Sequence, residues 1–411
     1  MKHTLIEFAI CLFVLLMPAS LIAQQDTQGS NVISKVKKII ESTGSSKVDT
    51  NYIQKPARPW QVSVKSRVAQ TDLNMHSTIN GNAVYASVLE GTGYQIEGPL
   101  RITPRVTTPI SASVGIKVGY RGLSASYTFP LKGYNGQSLS FRSMGNYYSI
   151  NLRWHKFEEK SPEAPSSFAL KNVDVNTGED LGGVKEYNMP GKWNLESPIK
   201  IKTLVFDGFY IFNYKRFSYG AAYNQKTIQK RSAGSLIAGI MAYYADFRFD
   251  DSRNAELITY MGEIGRIRQW QGSVGAGYAY NYVPAKGWLI GVTALPMVTL
   301  LNRMKMTQYD TNYLEVAAAE MQKTTVDDYI NDYTDSQVDN YIIQKKGDIT
   351  HSNRVALNFT TRLSVTYNWS RYFVNVNGQF NNFHYSHKSS NNTMHGYLND
   401  WYINASVGVR L

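Results

Sequence analysis

Residues 110–120 read ISASVGIKVGY, and the period of this stretch sets the fold class. Ile110, Ala112, Val114, Ile116, Val118 and Tyr120 alternate with Ser111, Ser113, Gly115, Lys117 and Gly119. Successive side chains of a β-strand point to opposite faces, so one face here is apolar and the other polar or bare. The pattern recurs on both sides of this segment. In 60–68, Trp60, Val62, Val64 and Val68 alternate with Gln61, Ser63, Lys65 and Arg67. In 270–282, Trp270, Val274, Ala276, Tyr278, Tyr280 and Tyr282 alternate with Gln271, Ser273, Gly275, Gly277, Ala279 and Asn281. In 354–367, Val355, Leu357, Phe359, Leu363, Val365 and Tyr367 alternate with Arg354, Asn358, Thr360, Arg362 and Ser364.

One layer of a soluble sandwich would show the same alternation. Two features favour a membrane. The runs reach about ten residues, the length a tilted strand needs to span a bilayer, and the apolar face is tipped with Tyr and Trp. The chain holds 29 Tyr, 16 Phe and 7 Trp, yet its mean hydropathy is only −0.32. Beyond the N-terminus no stretch approaches the ~18 apolar residues of a membrane helix. A transmembrane barrel reconciles these facts, because only alternate residues meet lipid while aromatic girdles sit at both interfaces. The expected fold is therefore all-β, an antiparallel transmembrane β-barrel.

Loop lengths give the strand count. Short turns fall at 120–122, 144–146, 226–233, 283–287 and 368–371; long connections fall at 80–103, 158–203, 249–267, 302–352 and 386–396, with a modest one at 132–137. Five turns and six loops make about 12 strands, with the short turns expected in the periplasm and the long loops outside. Alternation slips near Asn213–Lys215 within 206–225. The slip marks either one long bulged strand or a separate hairpin, and the bulged strand is expected because it keeps the number even.

The N-terminus points to export. Lys2 and His3 precede a largely apolar run from Phe8 to Ala23, followed by Gln24 and Gln25, the layout of a cleavable signal over 1–23. Cleavage would remove Cys11, the only cysteine, leaving neither disulfide nor thiol nucleophile. Residues 24–58 read as a periplasmic linker in which Val32, Ile33, Val36, Ile39 and Ile40 follow helical spacing. That amphipathic segment could plug the lumen, lie on the periplasmic surface or act as a loose tether. Residues 59–411 would form the barrel. Lys and Arg number 43 against 31 Asp and Glu, a net +12. Lipid phosphates, lipopolysaccharide and anionic solutes suit that charge in this compartment, whereas nucleic acid does not.

Several stretches resemble a family of outer-membrane barrel proteins known only as a domain of unknown function: SVGIKVGYRGLSASYTF (113–129), YIFNYKRFSYGAAYNQ (210–225), QKRSAGSLIAG (229–239), GAGYAYNYVPAKGWLIGVTALP (275–296) and NWSRYFV (368–374). They span most of 50–411, and the run from Tyr210 to Gly239 is the most specific. The final strand, with Trp401, Ile403, Ala405, Val407, Val409 and Leu411 on one face, resembles an outer-membrane insertion signal. The resemblance implies a fold and a location; it brings no activity and no site residues.

Candidate sites follow from the faces. Lys65, Arg67, Arg105, Lys117, Arg153, Arg354, Arg362 and Arg410 carry the charge of the polar faces, with few acids such as Asp400. Gathered in one lumen, they would favour small anions; paired with loop acids, they would close it. Twelve strands lie between filled and open barrels. The acidic stretch 310–348, within the 302–352 loop and carrying two short helical patterns at 314–323 and 326–344, could cap that lumen or form a solvated surface. Asp174, Asn176 and Asp180 have the alternating oxygens of a calcium loop without its downstream Glu, which makes a polar turn the plainer reading. If the strand starting at Arg371 keeps its alternation, His384, Ser386 and Asn399 share the outer face near the loop rim, which resembles the His, Ser and Asn placement of outer-membrane phospholipases. No metal spacing, phosphate loop or dinucleotide fingerprint appears, so no cofactor is expected. The candidate functions are a channel for small anionic solutes, a structural or surface-interaction envelope protein with an envelope or extracellular partner, and a lipid hydrolase. Oligomeric state stays open.

Overall fold

A computed structural model describes residues 48–411 apart from 80–83, 87–91, 104, 108–109, 133–135, 164, 175–176, 178, 190, 262, 313–341, 354 and 389–391. The expected signal, the amphipathic run at 32–40 and the helical pattern at 314–323 lie outside the described residues, as does that at 326–344 up to residue 341.

Twelve strands close into one antiparallel barrel: β1 (Trp60–Ile79), β2 (Ser111–Tyr120), β3 (Leu123–Pro130), β4 (Gln137–Met144), β5 (Tyr148–Glu159), β6 (Ile199–Ile211), β7 (Ala233–Arg248), β8 (Ile264–Tyr282), β9 (Trp288–Thr311), β10 (Ala356–Trp369), β11 (Tyr372–Lys388) and β12 (Asn392–Arg410). Each pairs with its neighbour in sequence, and β12 returns to β1 from Gln61↔Arg410 to Ile79↔Asn392. At the seam Trp60 and Leu411 exchange backbone hydrogen bonds of 3.2 and 2.9 Å. Closure leaves no unpaired edge around the wall, the condition for surviving in lipid.

The joints sort onto two rims. Tight turns join β2–β3, β4–β5, β8–β9 and β10–β11 on the rim that also carries the seam. Between β2 and β3 the two-residue turn Arg121-Gly122 has φ of 46° and 101°, the doubly left-handed geometry that matches strand twist and suits glycine. The opposite rim carries the long connections. There β9 runs on to Thr311 and Ile343–Asn353 pairs back against it, so the flanks of the expected 302–352 loop are strand. The same sheet extends beyond the loop rim, where Thr92–Ile102 pairs with Ser77–Ile79 at the end of β1 and with Ser166–Asp174.

The expected bulged strand across 206–225 does not form. β6 stops at Ile211, residues 212–232 leave the wall, and 217–229 turn inward, carrying the short helix α1 (Tyr219–Tyr223). Ser218 caps that helix by accepting from the Ala221 amide. The slip at Asn213–Lys215 thus marks the chain departing from the sheet. A bulge occurs instead in β9: Gly272 pairs with Leu301 and Ser273 with Thr299. Leu300 and Leu301 consequently both face outward, 63% and 59% exposed, and the buried face moves from Thr299 to Asn302, Met304 and Met306.

The barrel is inside-out relative to a soluble one. Val64, Ile116, Leu236, Leu363 and Val407 are exposed on its outer face, while Lys65, Arg67, Asn375 and Asn381 are buried within. Aromatic rings ring the tight-turn rim, with Trp60 4.7 Å from Tyr120, Trp288 4.8 Å from Tyr367 and Trp369 5.9 Å from Tyr372. Apolar outward and polar inward is the arrangement a bilayer selects.

Candidate functional site: the filled lumen

The interior has two walls. Along β6–β9 the inward side chains are largely apolar: Ile201, Val205, Tyr243, Phe247, Ile267 and Met304 belong to one buried cluster. Along β10–β12 and β1–β5 they are mostly serines, threonines, amides and charged groups, with Leu73, Met144, Phe157, Phe383 and Leu398 reaching into the apolar cluster.

The inward segment 217–229 stoppers the tight-turn end and bonds to both walls. Tyr223 hydroxyl lies 3.1 Å from Thr293 Oγ1 and donates to the Arg362 carbonyl at 3.2 Å. Lys117 Nζ donates to the carbonyl of Asn224 and to Gln225 Oε1, both at 3.2 Å. Arg142 donates to the Tyr223 carbonyl at 2.9 Å and Asn375 to that of Ala222 at 3.1 Å. From the outer end of the stopper, Ile53–Gln54 pairs with Ile228–Gln229, and Asp49 donates its amide to Lys215. The linker therefore braces the stopper through residues 49–54, although the run expected to be able to plug the lumen was 32–40.

Above the stopper sits a layer of charge. Arg362 pairs with Asp207 at 2.8 Å, both almost without exposure, and Asp207 also accepts from Asn151 at 3.0 Å. Arg153 stands 3.8 Å from Asp400 and lies over the Tyr402 ring at 4.7 Å, with none of its nitrogens hydrogen-bonded. Arg67 lies over the same ring at 4.4 Å and donates to Ser138 Oγ and to His155 Nε2, at 3.0 and 2.9 Å. Tyr402 hydroxyl donates to Gln379 at 2.9 Å and accepts from Arg142 at 3.4 Å. Asp400 accepts from Thr71 and Asn381, both at 3.2 Å.

Of the eight expected lumen cations, Lys65, Arg67, Lys117, Arg153, Arg362 and Arg410 are buried inside. Arg105 is a correction: it is half-exposed at the loop rim, paired with Asp72 at 3.3 Å, because Arg105–Thr107 pairs with Asp72–Asn74 of β1 one residue out of step with Ser111–Tyr120, which turns Arg105 away from the lumen. Arg354 lies outside the described residues. Arg142, Asp207, Tyr402 and the tyrosines of α1 were missed. Arg142 was findable, since Ser138, Ser140 and Arg142 share one face of Gln137–Met144. Asp207 was hidden by its apolar neighbours on that face, Val205 and Phe209.

The acidic loop does not reach these cations through its described residues. Asp310 pairs with Lys346 at 3.1 Å and Asp348 with Lys305 at 2.8 Å, all on the rim. Asp174 and Asp180 end and begin two strands of a hairpin, with Val173 opposite Asp180; Asn176 lies outside the described residues. No group of three or more metal-binding side chains occurs among the described residues. His384 and Asn399 do occupy adjacent outward strands, with His384 opposite Tyr397 and Asn399 opposite Asn382. The structure does not bring them together: His384 Nδ1 is 2.9 Å from the Leu357 carbonyl, and Asn399 Oδ1 accepts from Asn382 at 2.6 Å. Ser386 pairs with His395 through its backbone.

Comparison with known proteins adds a family. A model described as a domain of unknown function, DUF4421, matches residues 47–410. No curated protein matches. Solved structures with a similar course include the outer membrane protease OmpT from Escherichia coli, at 9% identity, 85% of this chain, 97% of that chain and a TM-score of 0.36. The β domain of the Bordetella autotransporter BrkA matches at 9% identity over 86% of this chain and 99% of its own, TM-score 0.23. The Pseudomonas putida toluene transporter TodX matches at 7% identity over 90% and 93%, TM-score 0.25.

Proposed function

The chain belongs to the DUF4421 family, and from that premise we propose an integral outer-membrane barrel that is closed as folded and works in the envelope as a structural or surface-interaction protein. The outward apolar face and the export pattern of residues 1–23 support the location. One observation carries the closed state: segment 217–229 runs inside the wall and is bonded to β2, β4, β9, β10 and β11. With the lumen filled, contact with other molecules falls to the long-loop rim.

The test is conductance of the purified full-length protein in a planar bilayer under a salt gradient. Wild type is expected to be silent. Replacing 216–227 by a short Gly-Ser linker is expected to open discrete steps with a reversal potential on the anion side. Steady wild-type steps would overturn the closed reading.

A second reading is a gated passage for small anions, with the stopper as gate. The inward charges favour it: among the described residues, Lys65, Arg67, Lys117, Arg142, Arg153, Arg362 and Arg410 face only Asp207 and Asp400, with Glu159 at the loop rim. Voltage-dependent wild-type openings would select this reading.

A further inference from the structure

We propose that the closed lumen holds one small monoatomic anion, a halide, between Lys65, Lys117 and Arg142. The three cations line a single cavity of about 20 Å³, room for about one or two water-sized bodies. No carboxylate lines it; its remaining walls are serine hydroxyls, amides and one tyrosine. The two deep acids are committed elsewhere, Asp207 to Arg362 and Asp400 to Thr71, Asn381 and Arg153. The strongest charged neighbours of Lys65 are Arg67, Arg142, Lys117 and Arg153, all cations.

The cations themselves meet only neutral dipoles. Lys65 Nζ has a single hydrogen bond, to Ser126 Oγ at 3.3 Å, and Ser126 is 2.8 Å from Ser140. Lys117 donates to two oxygens and Arg142 to Asn151, Tyr223 and Tyr402. Like charges buried together without a counter-charge are costly, and an arginine cannot shed its proton to relieve the cost. An anion at the common cavity neutralises them, taking up ammonium hydrogens that the single hydrogen bond of Lys65 leaves over. The volume sets the class, since a halide fits where a phosphate or a lipid headgroup does not.

The site rests on the closed lumen argued above, and the two readings fail separately: conductance reads closure, whereas scattering reads the ion. Crystals of full-length wild type grown with bromide in place of chloride should show an anomalous peak inside this cavity. An empty cavity under those conditions overturns the proposal. In solution, raising bromide at constant ionic strength against gluconate should favour the folded state, approaching about tenfold in the folding equilibrium per tenfold in bromide once bromide is well above the concentration that half fills the site. Lys65→Met with Lys117→Met should abolish that dependence. Ser126→Ala, which keeps every charge, should weaken it and guards against a variant that fails to fold. A dependence that persists undiminished in both would also overturn the proposal.

Discussion

Along β6–β9, Ile201, Val205, Phe247, Met304 and Met306 bury one another as the core of a soluble protein would. Across the lumen, Asn375, Asn377, Gln379 and Asn381 on β11 bond each other and β10 and β12 through amide after amide. The first wall asks only for matched volume. The second asks that every polar group find a partner, because water is displaced and an orphan is expensive. Lipid outside gives the outward residues little to specify beyond being apolar. The interior therefore decides which barrel forms, and it does so with two chemistries.

The largest effect is expected where the walls meet. Asp207 stands among the apolar residues of β6, and Asp207→Ala would strand the buried Arg362 guanidinium. The expected loss is about 3–5 kcal/mol, read from urea unfolding of protein folded into vesicles. Asp207→Leu combined with Arg362→Met converts that junction to the apolar chemistry and should recover most of the loss. A double variant as unstable as the single one would break the distinction between the walls. Inside the apolar wall, Ile201→Ala should cost about 2–5 kcal/mol by leaving a cavity, and it should leave bilayer silence intact because the stopper is untouched.

Most of the barrel was legible because its period is a property of single strands. ISASVGIKVGY and the segments like it place Lys65, Arg67, Lys117 and Arg362 inward without any knowledge of neighbours. Their partners were not legible. Lys117 meets Asn224 across 107 residues and Arg362 meets Tyr219 across 143, contacts set by closure and by the stopper rather than by local pattern. The stopper itself was misread as a bulged strand because a lapse in alternation signals either outcome. Deciding between them needs the observation that Phe217 and Tyr219 are buried inside the ring.

A smaller effect tests how the stopper joins the two chemistries. Tyr223→Phe removes one hydroxyl bonded to Thr293 on β9 and to the Arg362 carbonyl on β10. About 1–3 kcal/mol is expected if the carbonyl is left dry. The change should also raise the frequency of brief openings in the bilayer. An unchanged midpoint would mean that water enters and that the stopper is loosely seated.

The smallest effect concerns the cap over the apolar wall alone. Loop 249–263 carries helix α2 (Ala255–Tyr260), whose Leu257 and Ile258 join the buried cluster. Asp251 anchors that loop: it accepts from Arg253 Nε at 2.9 Å and from Ser197 Oγ at 2.8 Å. The hydrogen bond from Arg253, with help from Ser197, holds its carboxyl well below the usual carboxylate range. A group lowered in the folded state lends stability that is complete above its unfolded pKa of about 3.9 and fades as pH falls towards the folded value. Acidification below about pH 4 should therefore speed amide exchange of residues 255–260 relative to the β-strands. Asp251→Asn should exchange faster than wild type at neutral pH, with the gap narrowing as pH falls below 4. Amides on β11, within the polar wall, should show no such pH-dependent gap, since they are independent of this cap. Equal acceleration on both walls would mean that the lumen yields as one body, and the division of labour between its walls would then lie in packing rather than in local stability.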